Sequence, residues 1–249
     1  MIILKSNHEI ELMKKAGKIT AKAHEAVKKY IKPGMSTLEL DKIVEDVILS
    51  NNAIPTFKGY MDYPRNICAS VNNEVVHGIP SKDVIIKDGD IVSVDIGATY
   101  EGYVGDQAKT FMVGNVSEEA KKLVEVTRQS FYEGLKFVKE GYRISDVSRA
   151  IQDYAESYGF SLVRDYTGHG VGQNMHEDPS VPNYVGMRKG PRLQKGMTIA
   201  IEPMVNQGTY DVHVLDNGWT VVTDDGKLSA HYEHSVAVTD GEPIILTLL

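Results

Sequence analysis

The sequence predicts an α+β fold of two similar halves, in which helices cover one face of a sheet. Two observations carry this prediction. Apolar and polar residues alternate in two segments that end near Asp95 and Glu202, as they do in half-buried strands. Similar glycine and apolar positions also recur 107 residues apart along the chain. Because an amphipathic helix and a half-buried strand each have one apolar face, packing one against the other buries both.

Apolar residues with helical spacing predict four helices, and the first has a clear starting signal. Ser6 and Glu9 have the spacing of a capping box, in which each residue's side chain accepts a hydrogen bond from the other's backbone N–H. The first helix therefore begins near Ser6. The predicted helices lie near residues 6–31, 36–52, 117–138 and 145–158.

Two predicted strands each present one carboxylate on their more polar face. In Ile91–Ile96 the strand alternation places Asp95 opposite the valines, and in Thr198–Glu202 it places Glu202 opposite the isoleucines. A lone carboxylate on a mostly apolar strand is costly to bury unless it is paired or bound to a metal. We therefore expect helices on the apolar face and chemistry on the other.

Matched positions in the two halves indicate an internal duplication. Three pairs of residues are each 107 positions apart: Gly34 with Gly141, Gly89 with Gly196, and Asp95 with Glu202. Chance is the alternative, since glycines often precede apolar runs, but three matches at one spacing favour a real repeat. His169 has no counterpart, because Asp62 occupies the matching position, so we expect the halves to differ around the site.

Four carboxylates and one imidazole form a candidate site for two divalent metal ions. Taken singly, these residues can also be interpreted as capping, ion-pairing or loop residues. Together, four ionised carboxylates would repel one another strongly without cations. A set of oxygen ligands with one nitrogen favours Mn, Fe(II) or Co over a closed structural zinc site. The candidate ligands are Asp95, Asp106, His169, Glu202 and Glu233.

Composition limits the class of protein. The chain has 249 residues, 42% of them hydrophobic, which is enough for one catalytic domain spanning residues 1–249. A net charge of −7 and the lack of a dense basic stripe argue against a nucleic-acid-binding protein. No apolar run approaches the ~18 residues of a membrane span. A single cysteine excludes an internal disulfide and fits the reducing cytoplasm.

Seven short motifs, in this order, resemble those of the pita-bread metallopeptidases, and most closely the type I methionine aminopeptidases of the short bacterial form. The resemblance covers essentially the whole chain. The motifs are Val76–Pro80, Val94–Gly97, Gly105–Asp106, Tyr166–Gly172, Met175–Glu177, Ile201–Pro203 and Asp216–Trp219.

This resemblance implies the fold and the activity. The fold would be a curved antiparallel sheet covered by helices of two pseudo-symmetric halves. The activity would be hydrolytic removal of the initiator methionine from nascent proteins with a small second residue, by a hydroxide that bridges two metal ions (Co, Mn, Fe(II) or Zn). The resemblance also implies a cytoplasmic protein that works near ribosomes, and we expect a monomer.

The resemblance assigns metal-binding roles to the five candidate ligands. Asp95 would bind one metal through both oxygens, while Asp106 and Glu233 would bridge the two metals. His169 and Glu202 would complete the second metal.

Three residues receive catalytic roles by the same resemblance. Glu202 would act as the general base that transfers the proton of the attacking water to the leaving amine. His176 would donate a hydrogen bond to the carbonyl oxygen as negative charge develops there. His77 would contact the scissile amide nitrogen or the adjacent residue, so both histidines would also bind substrate.

A pocket for the methionine side chain is implied as well. Aromatic walls and sulfur atoms suit a thioether. The alternative for Cys68 is a plain buried thiol, and for Met175 and Trp219 it is core packing. The implied pocket residues are Tyr60, Tyr63, Cys68, Met175 and Trp219, with Phe57 nearby.

The remaining histidines are interpreted as having no part in the metal site. His234 is expected to be exposed or to support the site from outside, and the others to be structural or on the surface: His8, His24, His213 and His231. Two rival functions use the same fold: a proline-directed aminopeptidase or prolidase, and a metal-free binding protein.

Overall fold

The computed structural model describes residues 1–249, and its four α-helices confirm the predicted ones to within three residues at each end. The first helix begins with the expected capping box between Ser6 and Glu9. A short 3-10 helix covers Tyr60–Asp62. The α-helices are α1 (Asn7–Tyr30), α2 (Thr37–Ser50), α3 (Glu118–Leu135) and α4 (Ile144–Ser157).

Fifteen strands pair antiparallel throughout and form four sheets. In the first half of the chain the strands are β1 (Ile54–Pro55), β2 (Ile67–Val71), β3 (Glu74–Val76), β4 (Ile91–Tyr100) and β5 (Tyr103–Met112). In the second half they are β6 (Ser161–Leu162), β7 (Gly168–Gly170), β8 (Glu177–Val181), β9 (Thr198–Ile201), β10 (Met204–Asn206), β11 (Val212–Val214), β12 (Val221–Thr223), β13 (Ser229–His231), β14 (His234–Ala237) and β15 (Ile244–Ile245).

Two of the sheets contain the predicted strands. One has the order β1-β4-β2, with β5 also paired to β4, and the other has the order β15-β14-β9-β7-β8. The first predicted strand, Ile91–Ile96, continues to Tyr100, because β5 pairs with β4 along all ten residues of their hairpin. The second predicted strand ends at Ile201, so Glu202 lies directly after β9.

Each half packs its own helices on the apolar face of its own sheet, as the strand alternation predicts. In the first half, the β4 side chains of Val92 and Val94 share a hydrophobic core with Leu40 of α2. In the second half, the β9 side chain of Ile199 shares a core with Phe131 of α3. The opposite face of β4 and the residue after β9 are left to form the site.

Backbone geometry confirms the internal duplication. Helices α2 and α4 begin and end 107 residues apart. Gly34 and Gly141 both have left-handed φ angles, +88° and +91°. The N–H of Gly34 donates to the carbonyl of Ile86 at 2.8 Å, and that of Gly141 donates to Leu193, the matching residue, at 3.2 Å. Glycine recurs here because residues with a Cβ rarely adopt this φ.

The two halves are joined beside the candidate ligands. The backbone N–H of Asp106 donates to the Ser235 hydroxyl at 3.1 Å, and that hydroxyl donates to the Asp106 carbonyl at 3.0 Å. The pair ties β5 of one half to β14 of the other.

Each helix lacks either the length or the apolar run that crossing a membrane requires.

Candidate active site

One cavity of about 280 Å³ brings together all thirteen residues that the sequence analysis assigned to the site. Carboxylates and histidines lie with the aromatic and sulfur-containing side chains around a single space. One further residue, Met61, also lines it. The predicted residues are Phe57, Tyr60, Tyr63, Cys68, His77, Asp95, Asp106, His169, Met175, His176, Glu202, Trp219 and Glu233. Their individual roles stay predictions.

Both halves contribute carboxylates from fixed backbone positions. Asp95 lies within β4, between Cys68 of β2 and Ala108 of β5. Asp106 lies on β5 and is 1% exposed. In the other half, the Asn183 amide donates to the backbone carbonyl of Glu202 at 2.9 Å, which anchors the turn after β9.

Glu233 enters the cluster from the connection between β13 and β14, where it is 1% exposed. Its backbone N–H donates to the Ala108 carbonyl of β5 at 2.9 Å. This bond crosses between the halves and places Glu233 next to the strand that carries Asp106.

The two glycines beside His169 allow the backbone to approach its neighbours closely. A Cβ on Gly168 would lie 2.4 Å from the Ala200 carbonyl oxygen, and one on Gly170 would lie 2.1 Å from that of Asp178. Such contacts exclude a larger residue at either position. The Gly-His-Gly sequence therefore follows from the backbone packing of β7 between β8 and β9.

His169 presents a free lone pair to the carboxylates. Its Nδ1 lies 2.8 Å from the carbonyl oxygen of Gly170, which can only accept, so Nδ1 carries the proton. Its Nε2 then has a lone pair, 3.6 Å from Asp106 Oδ2 and 3.5 Å from Glu202 Oε1. A histidine fixed in this tautomer by a backbone carbonyl is typical of metal ligands.

Several buried carboxylate oxygens lack any partner. Asp95 Oδ1, Asp106 Oδ1 and Glu233 Oε1 are buried without a hydrogen bond. A buried charge without a partner is strongly unfavourable. A divalent cation would satisfy these oxygens, so the donor set fits the metal site that the sequence predicts.

Without a cation, the cluster favours protonated carboxyl groups. Burial, followed by the charge of Glu202, raises the pKa of Asp106 to about 8. Burial also raises the pKa of Glu202 to about 8. The pKa values of Asp95 and Glu233 are raised well above their usual range, first by burial and then by the charge of Asp106. Metal binding would lower these pKa values by stabilising the ionised carboxylates.

Two groups of side chains have the spacing of a metal site, and they share Glu233. Asp106, His169 and Glu233 place one ligand atom each within 4.8 Å of one another. Glu202, His231 and Glu233 do the same. Glu233 therefore lies within reach of both groups.

The two predicted catalytic histidines are neutral and oriented by neighbours. The Tyr60 hydroxyl lies 2.8 Å from His176 Nδ1, and the His176 ring centroid lies 4.3 Å from that of His169. Burial lowers the pKa of His176. Burial, followed by the charge of His231, lowers the pKa of His77 to about 4. Each therefore has one ring N–H to donate near neutral pH.

His77 also has a backbone conformation that is uncommon outside glycine, with φ at +60°. Its ring meets Tyr166 edge-on at 5.6 Å and Trp219 at 6.2 Å. Strained residues of this kind are concentrated at functional sites.

The apolar part of the cavity is a packed aromatic wall. Tyr63 and Trp219 meet edge-on with centroids 5.0 Å apart, and the Tyr63 hydroxyl lies 3.1 Å from the Gly78 carbonyl. Phe57 packs on Gly97, where a Cβ would lie 2.5 Å from the Phe57 ring. Burial raises the pKa of the Cys68 thiol, so the thiol is neutral and behaves as a small apolar group.

Two residues of the site region were missed from the sequence. Met61 sits in a turn with φ at +48°, and no periodic pattern indicates which way such a residue points. His231 was interpreted as structural or on the surface. It is 2% exposed, and its Nε2 lies 3.4 Å from Glu202 Oε2. Its position two residues before Glu233 was an available signal, since alternate residues of a strand share a face.

The other histidines lie outside the cluster. His234 is fully buried, not exposed, and its ring nitrogens lie 2.7 Å from the Thr247 hydroxyl and 3.0 Å from that of Tyr232. His24 is buried, with Nε2 2.8 Å from the Gln107 carbonyl. The remaining two, His8 and His213, are exposed.

Comparisons with known proteins agree with this geometry. The profile of Metallopeptidase family M24 matches residues 11–240. The methionine aminopeptidase of Clostridium acetobutylicum is 54% identical over 248 residues, covering 100% of this chain and 99% of that protein. The crystal structure of methionine aminopeptidase from Thermotoga maritima has a TM-score of 0.98 and 48% identity, with 100% of both chains covered. The prolidase from Pyrococcus furiosus has a TM-score of 0.79 and 25% identity, covering 99% of this chain and 66% of that one.

Proposed function

The chain belongs to metallopeptidase family M24 and has its pita-bread fold, and on that premise we propose that it is a methionine aminopeptidase. It hydrolyses the peptide bond after an N-terminal methionine in nascent proteins whose second residue is small. One observation carries the proposal: a shared cavity joins a cluster of buried, unpartnered carboxylates to an apolar pocket of aromatic and sulfur-containing side chains.

We propose that the site holds two divalent metal ions, drawn from Mn, Fe(II), Co and Zn. Asp95 would help to hold one ion, His169 and Glu202 the other, and Asp106 and Glu233 would be ligands of both. The buried, unpartnered oxygens of Asp95, Asp106 and Glu233 support this arrangement. When bound, the cations polarise the scissile carbonyl and lower the pKa of a water molecule.

The protein's own residues move the protons and stabilise charge. Glu202 accepts the proton of the attacking water and delivers it to the amide nitrogen that leaves. His176, held by the Tyr60 hydroxyl, donates a ring N–H to the carbonyl oxygen as it becomes negative. His77 contacts the scissile amide or the residue beyond it, with its ring packed edge-on against the Trp219 and Tyr166 rings.

The apolar wall selects the first side chain of the substrate. Tyr63, Trp219 and Cys68 offer aromatic faces and a polarizable sulfur to a thioether. Met61 is 73% exposed where it lines the cavity, so we place it at the entrance, where the second substrate residue passes.

A proline-directed peptidase of the same fold is the rival function, because it would use the same five ligands. The likeness to methionine aminopeptidases extends over the full length of both proteins, whereas the prolidase is longer and less similar. We therefore favour methionine release over the proline-directed reaction.

We further propose that residues 1–249 form one catalytic domain that acts as a monomer. Its substrates emerge from ribosomes, so we place the protein in the cytoplasm, near sites of translation. A substrate that keeps its formyl group should not react, because the nitrogen lone pair of a formylated N-terminus is delocalised into the formyl carbonyl and cannot bind a cation as a free amine would.

A panel of peptides tests the function. Metal-stripped protein is titrated with Mn, Co, Fe(II) or Zn, and release of the first residue is measured from Met-Ala-Ser, its N-formyl form, Met-Leu-Ser and Ala-Pro-Ala. Metal-dependent cleavage of Met-Ala-Ser alone is expected. Preference for Ala-Pro-Ala would assign the protein to the proline-directed peptidases, and no cleavage with any metal would support the binding-protein alternative.

A further inference from the structure

We propose that His231 is a positioning residue of the metal centre, which donates a hydrogen bond from its Nε2 to Glu202 Oε2 and holds that carboxylate in its working orientation. The inference rests on the proposed function, because it assumes that Glu202 binds metal and acts as the base.

The backbone of His231 is fixed from a neighbouring strand. Its N–H donates to the Thr110 hydroxyl at 2.9 Å, and that hydroxyl donates to the His231 carbonyl at 2.9 Å. The Thr110 hydroxyl also lies 2.8 Å from that of Ser93, on the polar face of β4 that carries Asp95. On its other side, His231 pairs with Met204 of β10. The position of its side chain is therefore determined by two packed strands.

The imidazole is aimed into the cluster without a hydrogen-bond partner. His231 is 2% exposed, and its Nε2 is buried and makes no hydrogen bond. An unsatisfied buried polar group costs roughly 1–3 kcal/mol. The nearest carboxylate oxygen in an ion-pair contact is Glu202 Oε2, at 3.4 Å. Hydrogen bonds in active sites without their ligands are often long and tighten in the complex.

The two oxygens of Glu202 face two different imidazoles, which gives them different tasks. Oε1 lies 3.5 Å from His169 Nε2, which carries a lone pair and cannot donate. Two facing lone pairs repel unless a proton or a cation lies between them, so we assign Oε1 as the metal-binding oxygen of the loaded protein. Oε2 lies 3.4 Å from His231 Nε2 on the other side, close enough for an N–H to bond to it after a small rotation of either side chain.

A carboxylate that must bind metal through one oxygen and move a proton benefits from a fixed orientation. Groups that hydrogen-bond to metal ligands in this way typically contribute about 10–100-fold to metal affinity or activity. We assign His231 to orienting Glu202 rather than to binding metal directly, because its Nε2 lies beside Oε2 and not beside Oε1, the oxygen assigned to the metal.

Two substitutions of His231 distinguish a hydrogen-bond donor to Glu202 from a direct metal ligand. His231→Gln keeps an N–H donor near the position of Nε2, whereas His231→Leu removes it at similar volume. Calorimetric titration of metal-free protein with Mn²⁺ gives metal affinity, and Met-Ala-Ser hydrolysis at saturating Mn²⁺ gives kcat and KM. His24→Leu is the control, since His24 is also buried with an unpartnered ring nitrogen but bonds to the Gln107 carbonyl and not to a carboxylate of the cluster.

We expect His231→Leu to weaken Mn²⁺ binding by about 10–100-fold and to lower kcat more than it raises KM. His231→Gln should recover most of both losses, and His24→Leu should change neither. Wild-type affinity and kcat in His231→Leu would overturn the inference. A glutamine variant as weak as the leucine variant would also overturn it, because it would point to direct ligation by the imidazole.

A crystal structure of the Mn-loaded wild-type protein gives the answer even where a variant fails to fold. We expect an Nε2–Oε2 distance of about 2.7–3.0 Å, and an Nε2–metal distance near 2.1 Å would contradict it. If the wild-type protein cleaves Met-Ala-Ser but His231→Leu changes neither Mn²⁺ affinity nor kcat, only the role of His231 is refuted. Wild-type protein that neither binds Mn²⁺ nor cleaves the peptide removes the proposed function as well.

Discussion

The Glu202 side chain has two proposed roles, metal ligand and general base. Its carboxylate lies between two imidazoles, and its backbone is held by the amide of Asn183. Burial raises its pKa to about 8 in the metal-free protein, so it takes up a proton readily. A metal ligand that also accepts protons is expected to be irreplaceable even by its amide.

Glu202→Gln should therefore abolish turnover. Loss of a general base costs about 10²–10⁴ in rate, and loss of a charged ligand adds weaker metal binding. The measurement is kcat for Met-Ala-Ser at saturating metal, with metal content determined in the same sample. Glu74→Gln is the matched control, since Glu74 is also a half-buried glutamate but lies outside the cavity. Near-normal turnover in Glu202→Gln would remove it as the base.

His176→Ala tests stabilisation of the developing charge. A lost hydrogen-bond donor of this kind lowers kcat by about 10²–10³, with a smaller effect on KM. Tyr60→Phe removes only the hydroxyl at His176 Nδ1 and should cause a smaller fall in kcat. The comparison requires full steady-state kinetics, and a change in KM alone in His176→Ala would argue against the assigned role.

At the scale of elements, a buried ion pair ties the N-terminal segment to the loop that carries Met175 and His176. Lys5 Nζ pairs with Glu177, and both side chains are almost fully buried. The other oxygen of Glu177 accepts from the backbone N–H of Asn174 at 3.1 Å. Lys5 also donates its backbone N–H to the Gly196 carbonyl at 2.7 Å, just before β9. The loop position therefore depends on a residue before the first helix.

Lys5→Met should destabilise the fold and disturb the loop. Breaking one partner of a buried ion pair costs about 3–5 kcal/mol, because the remaining charge stays buried. The free energy of unfolding from urea denaturation measures this loss. The double replacement Lys5→Met with Glu177→Gln should recover part of it, whereas a double variant less stable than Lys5→Met would refute the ion-pair explanation.

At the scale of the molecule, the carboxylate cluster makes the stability of the metal-free protein depend on pH. The pKa values of Asp106 and Glu202 rise from 3.8 and 4.5 to about 8 on folding. The folded protein thus holds more protons than the unfolded chain between about pH 7 and pH 9, where histidines with lowered pKa values, such as His77 and His176, are neutral in both states. Its stability must fall as pH rises through that window.

Thermal unfolding tests this linkage. Metal-stripped protein should have a lower Tm at pH 8.5 than at pH 7, and Mn²⁺ should raise the Tm most at the higher pH. Glu202→Gln should reduce the slope, since the neutral amide does not titrate. A metal-free Tm that rises from pH 7 to pH 8.5 would contradict the raised pKa values.

Much of the architecture could be predicted from the sequence, because its signals are local. The helix ends follow from caps and apolar spacing, as at Ser6, and the duplication appears in α2 and α4, which match residue for residue. The division of strands into four sheets could not be predicted, since it depends on pairings between distant short strands such as β3 and β12. Local patterns carry no information on such pairings.

In the site, too, residues within local motifs could be predicted from the sequence, and contacts between distant segments could not. Residues within recognisable motifs, such as His169, were found, while Met61 and the contact of His231 with Glu202 were not. Met61 points into the cavity only because of an unusual turn, and His231 meets Glu202 only because β13 and β10 are paired.

The central claim is that one cluster holds two divalent cations bridged by Asp106 and Glu233. The most direct measurement is anomalous diffraction at the manganese edge from crystals grown with Mn²⁺. We predict two peaks, one beside Asp95 and one between His169 and Glu202, with Asp106 and Glu233 contacting both. A single peak, or two peaks that share no carboxylate, would contradict the account.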